Sequence, residues 1–172
     1  FCFSSFLSLG EVSRGEAGFA AEVSPNDPLW EGSDVRLQEP LRVDLQAQTV
    51  GDGILVRGRM YTRVTQECRR CLTPVEAEVD DDVTLLFEPL GDDEEAELVG
   101  EVYPLPERGD ALDLGPALRE ELILRLPDFV VCFESCRGLC PTCGANLNET
   151  TCECVPVEES SPWTALKNLK FD

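Results

Sequence analysis

The sequence contains no histidine, and basic residues are scarce, with 14 lysines and arginines against 34 aspartates and glutamates. Without histidine, the chain lacks the side chain most often used as a general base near neutral pH. Its formal net charge of −20 repels phosphate backbones, so broad electrostatic binding to nucleic acid is not expected. A basic protein is the kind of partner that this charge favours.

Long apolar runs are also lacking. The best candidate for a targeting segment, Phe1–Gly10, has no basic leader, is too short to span a bilayer and is followed by no small-residue cleavage site. We therefore expect a soluble, cytoplasmic protein with no membrane partner. The length suggests one domain, large enough to bury a hydrophobic core.

Strand patterns predominate before Asp110. Leu41–Val50 alternates apolar and polar residues, and Gly51–Gly53 is a turn signal that leads into a second apolar run, so the two runs predict a β-hairpin. A further strand is predicted over Pro74–Pro89. The acidic segment 91–101 that follows is typical of a solvated loop, and docking onto a basic partner is the alternative.

Helical and cysteine-rich segments predominate after Asp110. A helix is predicted over 113–126, capped by Asp113 and ended by Pro127. Its apolar stripe has a helical period and consists of Leu114, Ala117, Leu118, Leu122 and Leu126. A short last helix is predicted over Pro162–Lys170.

These patterns predict an α+β fold, with an antiparallel β-sheet, one main helix and a cysteine-rich, zinc-binding C-terminal segment. We expect residues 1–131 to form the mainly antiparallel β domain, which includes the acidic loop and the main helix. Residues 132–172 are expected to form the metal-binding tail with its short terminal helix.

A basic stripe, formed by Arg57, Arg59, Tyr61 and Arg63 on one face of a strand, is similar to an RNA-binding surface. The next strand, however, carries acidic residues with the same period of two. We predict an antiparallel register that places Arg63 opposite Glu76 and so neutralises the stripe. It also sets Arg57 opposite Asp82, Arg59 opposite Asp80, Tyr61 opposite Glu78 and, at the tip of the hairpin, Cys68 opposite Cys71.

The nine cysteines carry the strongest chemical signal. Cys2 is interpreted as a free thiol, and the other eight make two sets of four, which is the number of ligands in a tetrahedral zinc site. One set is predicted at the hairpin tip and the other in the tail, and exchange of Cys136 with a neighbour is the main alternative. The predicted ligands are Cys68, Cys71, Cys132 and Cys136 for the first site, and Cys140, Cys143, Cys152 and Cys154 for the second.

Two other uses of the thiols remain open, and any single thiol could also be without a ligand role. Disulfides suit a small secreted protein, which the sequence does not indicate. An iron–sulfur cluster also takes four thiolates, and spacing alone does not exclude it. With zinc, four thiolate ligands close the coordination sphere, so both sites are predicted to be structural and not catalytic.

Three blocks occur in the order Cys68–Val79, Leu112–Pro127 and Cys136–Asn148, followed by the C-x-C pair Cys152 and Cys154. Together they resemble the bacterial family called large ribosomal RNA subunit accumulation protein, or YceD. The resemblance implies a part in accumulating large-subunit rRNA and an association with a basic large-subunit ribosomal protein or the assembling large subunit.

We therefore expect a non-enzymatic factor in ribosome biogenesis, with direct RNA contact not favoured. The alternatives are an RNA-binding protein that uses its zinc knuckles and a metal-dependent nuclease that processes rRNA. Carboxylate clusters such as Asp80–Asp82 and Asp92–Glu95 are of the kind that holds Mg²⁺.

Overall fold

The computed structural model describes residues 6–15, 17–89, 102–106 and 109–154. Five strands form one sheet in the order β2-β3-β4-β5-β6, and β1 pairs with β7 separately. Neighbouring strands are antiparallel except β5 and β6, which are parallel. The elements are β1 (Phe6–Ser8), α1 (Leu9–Val12), β2 (Ala17–Val23), a 3-10 turn (Pro28–Trp30), β3 (Leu41–Val50), β4 (Gly53–Glu67), β5 (Pro74–Pro89), β6 (Val102–Leu105), β7 (Ala111–Asp113) and α2 (Gly115–Leu124).

The sheet, the main helix and the cysteine-rich segment agree with the predicted fold class. Strands β3 and β5 have the bounds expected from the alternating pattern, and the hairpin β3–β4 forms as predicted. Strands β1, β2, β6 and β7 and helix α1 were not predicted. Cys2, the acidic loop 91–101 and the last helix Pro162–Lys170 lie outside the described residues.

The predicted register between β4 and β5 is wrong by two residues. In the structure Arg63 lies opposite Glu78, Tyr61 opposite Asp80, Arg59 opposite Asp82 and Arg57 opposite Thr84. The reason is the connection, which covers residues 68–73 instead of a two-residue turn. Its ends are closed by the Cys68 N–H, which donates to the Thr73 carbonyl at 2.9 Å, so Cys68 lies opposite Thr73 and not Cys71.

A shift of two residues keeps every side chain on its predicted face, because side chains alternate with a period of two along a strand. The stripe is therefore still neutralised in part, by diagonal and direct neighbours. Arg59 Nε lies 2.6 Å from Asp80 Oδ1, and Arg63 Nε lies 3.6 Å from Glu78 Oε2. Arg57, which faces Thr84, has no ion pair among the described residues.

Helix α2 covers one face of the sheet. Leu114, Leu118 and Leu122 are fully buried with Ala117, and Leu126 packs against the same core. The helix is shorter than predicted at both ends, since it begins at Gly115 and ends at Leu124. The N-cap is Leu114 and not Asp113, although the Asp113 carboxylate accepts a hydrogen bond of 2.9 Å from the Gly115 N–H in the first turn.

A buried acid fixes the end of α2 to the sheet. Glu121 is only 3% exposed and forms an ion pair with Arg125. Arg125 Nη2 also donates to the Asp82 carbonyl of β5 at 3.1 Å. Burial, together with the carboxylates of Glu120 and Glu121, raises the pKa of Tyr103, which donates to Glu121. The helix therefore ends in a fixed position, from which the chain leads to the hairpin tip.

Candidate metal centres

The first group of thiols joins the β4–β5 connection to the segment after α2. We call it the hairpin centre: Cys68, Cys71, Cys132 and Cys136, whose Sγ atoms all lie within 4.8 Å of one another. Three of the four residues are buried and Cys132 is partly so. The Arg69 N–H donates to the Val130 carbonyl at 2.9 Å, which holds the two segments side by side.

The second group closes within the tail. We call it the tail centre: Cys140, Cys143, Cys152 and Cys154, whose Sγ atoms also all lie within 4.8 Å of one another. Only Cys140 is buried, and Cys143 and Cys154 are exposed. The structure thus brings the eight thiols together in the two sets of four expected from the sequence. That they ligate a metal stays a prediction.

The spacing of the sulfurs suits a single ion. A tetrahedral ion with metal–sulfur bonds of about 2.3 Å holds its sulfurs about 3.8 Å apart. Sulfur–sulfur distances are 3.9 Å for Cys68–Cys136 and 3.5 Å for Cys71–Cys132. In the tail centre they are 3.5 Å for Cys143–Cys152 and 3.4 Å for Cys140–Cys152. A multi-iron cluster would hold the sulfurs farther apart, because its own irons and sulfides lie between them. Each group could hold one metal ion.

Both centres begin with the same backbone turn. Leu72 N donates to the Cys68 carbonyl at 2.9 Å, and Gly144 N donates to the Cys140 carbonyl at 2.8 Å. In each turn this fifth residue has a left-handed backbone, with φ of 60° at Leu72 and 73° at Gly144. Glycine takes this conformation readily, whereas leucine is strained in it.

The turns direct N–H groups at the first sulfur of each C-x-x-C pair. Burial acts to raise the pKa of Cys68, but N–H groups of Arg70, Cys132 and Cys71 outweigh it and lower the pKa to about 6. The N–H groups of Cys143 and Thr142 likewise lower the pKa of Cys140 to about 6. Hydrogen bonds to a thiolate stabilise it, so one sulfur in each centre is prepared to bind a cation.

The last sulfurs to ionise carry the opposite shift. Burial and the neighbouring thiols Cys71 and Cys136 raise the pKa of Cys132 to about 12. Hydrogen bonding with Cys152 and Cys143 raises the pKa of Cys154 to about 12. Four thiolates repel one another at such distances, and a divalent cation is the species that relieves that repulsion.

Side chains around the hairpin centre orient its ligands and were not identified from the sequence. Asn148 Nδ2 donates to Cys136 Sγ at 3.3 Å, and the Asn148 side-chain oxygen accepts from the Arg137 N–H at 2.8 Å. Thr73 Oγ1 lies 3.3 Å from Cys71 Sγ, and this contact lowers the pKa of Cys71. Such outer contacts fix the orientation of metal ligands.

The arginines at the hairpin tip are engaged by the protein itself. Arg69 Nε donates to the Asp128 carbonyl at 2.9 Å. Arg70 Nη1 donates to the carbonyls of Glu134 and Cys136, at 3.2 and 3.0 Å. The Arg70 carbonyl lies so close to Gly138 that an added Cβ there would be 3.0 Å from it. These arginines hold the cysteine-rich segment against the hairpin.

Two further observations concern other kinds of site. In the part of the chain that the structure describes, only the two cysteine groups have a geometry that could hold a metal ion. No group of carboxylates there has such a geometry. Among the same residues, no helix has the length and apolar character needed to cross a membrane.

A family model described as large ribosomal RNA subunit accumulation protein YceD matches residues 56–170. The match covers more than half of the chain and includes both cysteine groups. The chain belongs to the YceD family. The family match extends from β4 through β5 and α2 to the cysteine-rich tail, so the resemblance inferred from the sequence blocks is confirmed.

Curated relatives fall into bacterial and plant groups. An uncharacterised protein of Mycobacterium tuberculosis is 34% identical over 111 residues, which are 62% of this chain and 51% of the relative. One of Mycobacterium leprae is 30% identical over 63% of this chain and 49% of its own length. A Zea mays protein, named chloroplastic large ribosomal RNA subunit accumulation protein YCED homolog 1, is 24% identical over 87% of this chain and 61% of its own.

The chain therefore spans about half the length of the mycobacterial relatives it matches. No solved structure matches it.

Proposed function

We propose that this chain is a non-enzymatic assembly factor that supports the accumulation of large-subunit rRNA in the cytoplasm. It acts by binding a basic ribosomal protein or the assembling large subunit. The observation that carries the proposal is the YceD match over residues 56–170, which takes in the hairpin β4–β5, the main helix and both cysteine groups. The net charge of −20 supports a basic protein partner over bare RNA.

The proposal includes one structural zinc ion in each cysteine group. All ligands would be thiolates, a donor set that favours zinc over harder cations, and the sulfur spacing fits one tetrahedral ion. An ion with four protein ligands has no open position for a substrate or water, so it stabilises the fold without taking part in a reaction.

A nuclease is the less favoured function for this site. The carboxylate with the strongest contacts, Asp80, accepts two hydrogen bonds from Arg59, at 2.6 and 3.0 Å. Such an ion pair competes with a magnesium ion for the same oxygens. An RNA reader is less favoured as well, because Arg69 and Arg70 donate to backbone carbonyls of the chain.

The function is tested by depleting the protein in growing cells and measuring the ratio of large- to small-subunit rRNA. We expect depletion to lower this ratio and the wild-type chain to restore it. An Asp81→Asn/Asp82→Asn variant should restore it equally, because a non-enzymatic factor does not need these carboxylates for catalysis. The matched control is Cys71→Ser, which disrupts the hairpin centre and should fail.

Two results would contradict the proposal. An unchanged rRNA ratio after depletion would exclude the role in large-subunit accumulation. If the aspartate variant is folded and metal-loaded but does not restore the rRNA ratio, the nuclease function would be favoured.

The zinc assignment is tested separately by elemental analysis of protein purified without added metal. We expect one zinc ion for each cysteine group and no reaction of the eight thiols with a thiol reagent until the protein is denatured. Iron in place of zinc, or freely reactive thiols with less than one metal ion per chain, would refute it.

A further inference from the structure

Strand β5 has one edge that is paired along its length and one that is not. Its inner edge pairs with β4 from Pro74 to Phe87. On its outer edge, β6 pairs only with Leu86–Pro89. Within the described ranges, no strand pairs with the outer edge from Val75 to Leu85.

The backbone groups on this outer edge belong to acidic residues. In an antiparallel strand, the N–H and C=O of one residue point to the same edge and those of the next residue to the other. The Thr73 carbonyl points to β4, since it accepts from the Cys68 N–H. The Asp82 carbonyl points the other way, since it accepts from Arg125. The outward set with even numbers is therefore Glu76, Glu78 and Asp80, all of them exposed.

Charge distinguishes this edge from the other edge of the sheet. Five carboxylates lie between Glu76 and Asp82 and no basic residue does, and the ion pairs with Arg59 and Arg63 engage only two of them. The opposite edge, β2, carries a single acidic residue, Glu22. Like charges opposed across a strand pair repel, so the β5 edge resists pairing with a second copy of itself.

We propose that the outer edge of β5 from Val75 to Asp81 binds an extended, basic segment of a protein partner as an added strand. Main-chain hydrogen bonds to Glu76, Glu78 and Asp80 supply the affinity, and alternate side chains supply the specificity. Every second residue of the partner would be lysine or arginine, on the face of the three carboxylates. The residues between would be apolar, on the side of the half-buried Val75 and Ala77.

The hydrogen bond of Arg125 limits the length of this added strand. Arg125 occupies the Asp82 carbonyl, so pairing stops before that residue. That the partner is a ribosomal protein rests on the proposed function. That the bound segment is basic and extended rests on the unpaired, acidic edge of β5 alone.

The probe is a nine-residue peptide of alternating lysine and valine, measured by fluorescence anisotropy at low ionic strength with the full, metal-loaded chain. Its control is the same peptide with every second backbone nitrogen methylated, which keeps the charge and removes the N–H donors. We expect methylation to weaken binding about tenfold, since the peptide then donates no main-chain hydrogen bonds to the edge. A peptide with glutamate in place of lysine should not bind.

Variants of Glu78 separate the backbone from the charge. Glu78→Pro removes an outward N–H without touching the hydrogen bonds to β4, and should weaken binding about tenfold. Glu78→Gln keeps the backbone and should weaken it only about threefold, the scale of one cross-strand charge pair. Circular dichroism and metal content check that each variant is folded.

Hydrogen exchange of the wild-type chain locates the peptide even if Glu78→Pro does not fold. The amide protons of Glu76, Glu78 and Asp80 should gain protection when the lysine–valine peptide binds. Equal binding of the methylated peptide, or protection at β2 instead, would overturn the proposal. Such a failure leaves the rRNA-accumulation role untouched, because the depletion experiment tests that role without reference to β5.

Discussion

At the scale of single residues, the two C-x-x-C turns share a fold but differ in the residue after the second cysteine. Both turns close the same hydrogen bond, yet one uses Gly144 and the other Leu72 in a left-handed backbone. The leucine side chain is 56% exposed, so burial offsets little of its strain. The left-handed backbone closes the turn in which Cys68 Sγ and Cys71 Sγ lie within 4.8 Å of each other.

Leu72→Gly should therefore stabilise the protein. A left-handed backbone costs an L-residue about 1–2 kcal/mol, and part of that gain is offset because glycine is more flexible when unfolded. We expect the free energy of unfolding to rise by about 0.5–1 kcal/mol, measured by urea denaturation in excess zinc. The matched control, Gly144→Ala, should lower it by about 1 kcal/mol. A decrease in stability for Leu72→Gly would show that the exposed side chain makes contacts that matter.

At the scale of elements, the two centres differ in what they join. The hairpin centre connects the β4–β5 tip to the segment after α2 and is mostly buried, whereas the tail centre closes within one short segment and has two exposed thiols. A buried ion that bridges distant segments contributes to the stability of the whole fold. A local, exposed ion contributes to its own loop.

Single cysteine variants should separate these roles. Cys71→Ser should remove one zinc ion and lower the melting temperature of the sheet, because the hairpin and tail lose their link. Cys154→Ser should also remove one ion but leave the melting temperature of the sheet within a few degrees. Elemental analysis and circular dichroism give the two readouts. Equal melting temperatures for the two variants would contradict this division.

The same difference predicts the order of metal release. A chelator should remove zinc from wild-type protein in two phases, with the fast phase absent in Cys154→Ser. A fast phase that persists in this variant would assign the labile ion to the hairpin centre.

The existence and position of an element could be predicted where the pattern is strong, and the strand register could not. The alternation in β3 and β5 and the leucine stripe of α2 reflect burial on one side, which sequence records directly. The register depends on the length of the hairpin connection. That connection covers residues 68–73, which include two of the clustered cysteines, and is longer than the predicted two-residue turn. Strand β6 is short and parallel, and no local pattern indicates it.

For the candidate site, the ligand groups could be predicted from the sequence, but the side chains that contact the ligands could not. The two groups of four cysteines could be predicted from the spacing of the cysteines and from the expectation that the chain returns to the hairpin tip after the helix. The contacts of Asn148 and Thr73 with the sulfurs depend on loop conformation, which a single sequence does not encode in a recognisable pattern.

At the scale of the whole molecule, charge separates the proposed function from RNA recognition. The basic stripe on β4 is a set of arginines on one strand face, yet Arg59 and Arg63 contact acidic neighbours. Replacing these two with glutamine should lower the free energy of unfolding only slightly, because exposed ion pairs contribute little to stability. Arg57→Gln is the matched control and should change it little, because Arg57 faces Thr84.

Association with large-subunit precursors should survive in all three arginine variants, as measured by co-sedimentation. If the arginines bound phosphates, association would weaken, and the slope of its salt dependence would fall by about one unit for each phosphate that is no longer bound. A folded variant that no longer associates would move the functional surface from the acidic edge of β5 to the arginine face of β4.

The hairpin centre also bears on the order of events during synthesis. Cys71 and Cys132 are 61 residues apart in the chain, and the segment between them includes β5 and α2. The first two thiols leave the ribosome long before their partners, so a zinc ion bound there, as proposed, would be fully enclosed only after β5 and α2 have been synthesised. Retention of a metal ion at this position would then mark a chain in which β5 and α2 are in place.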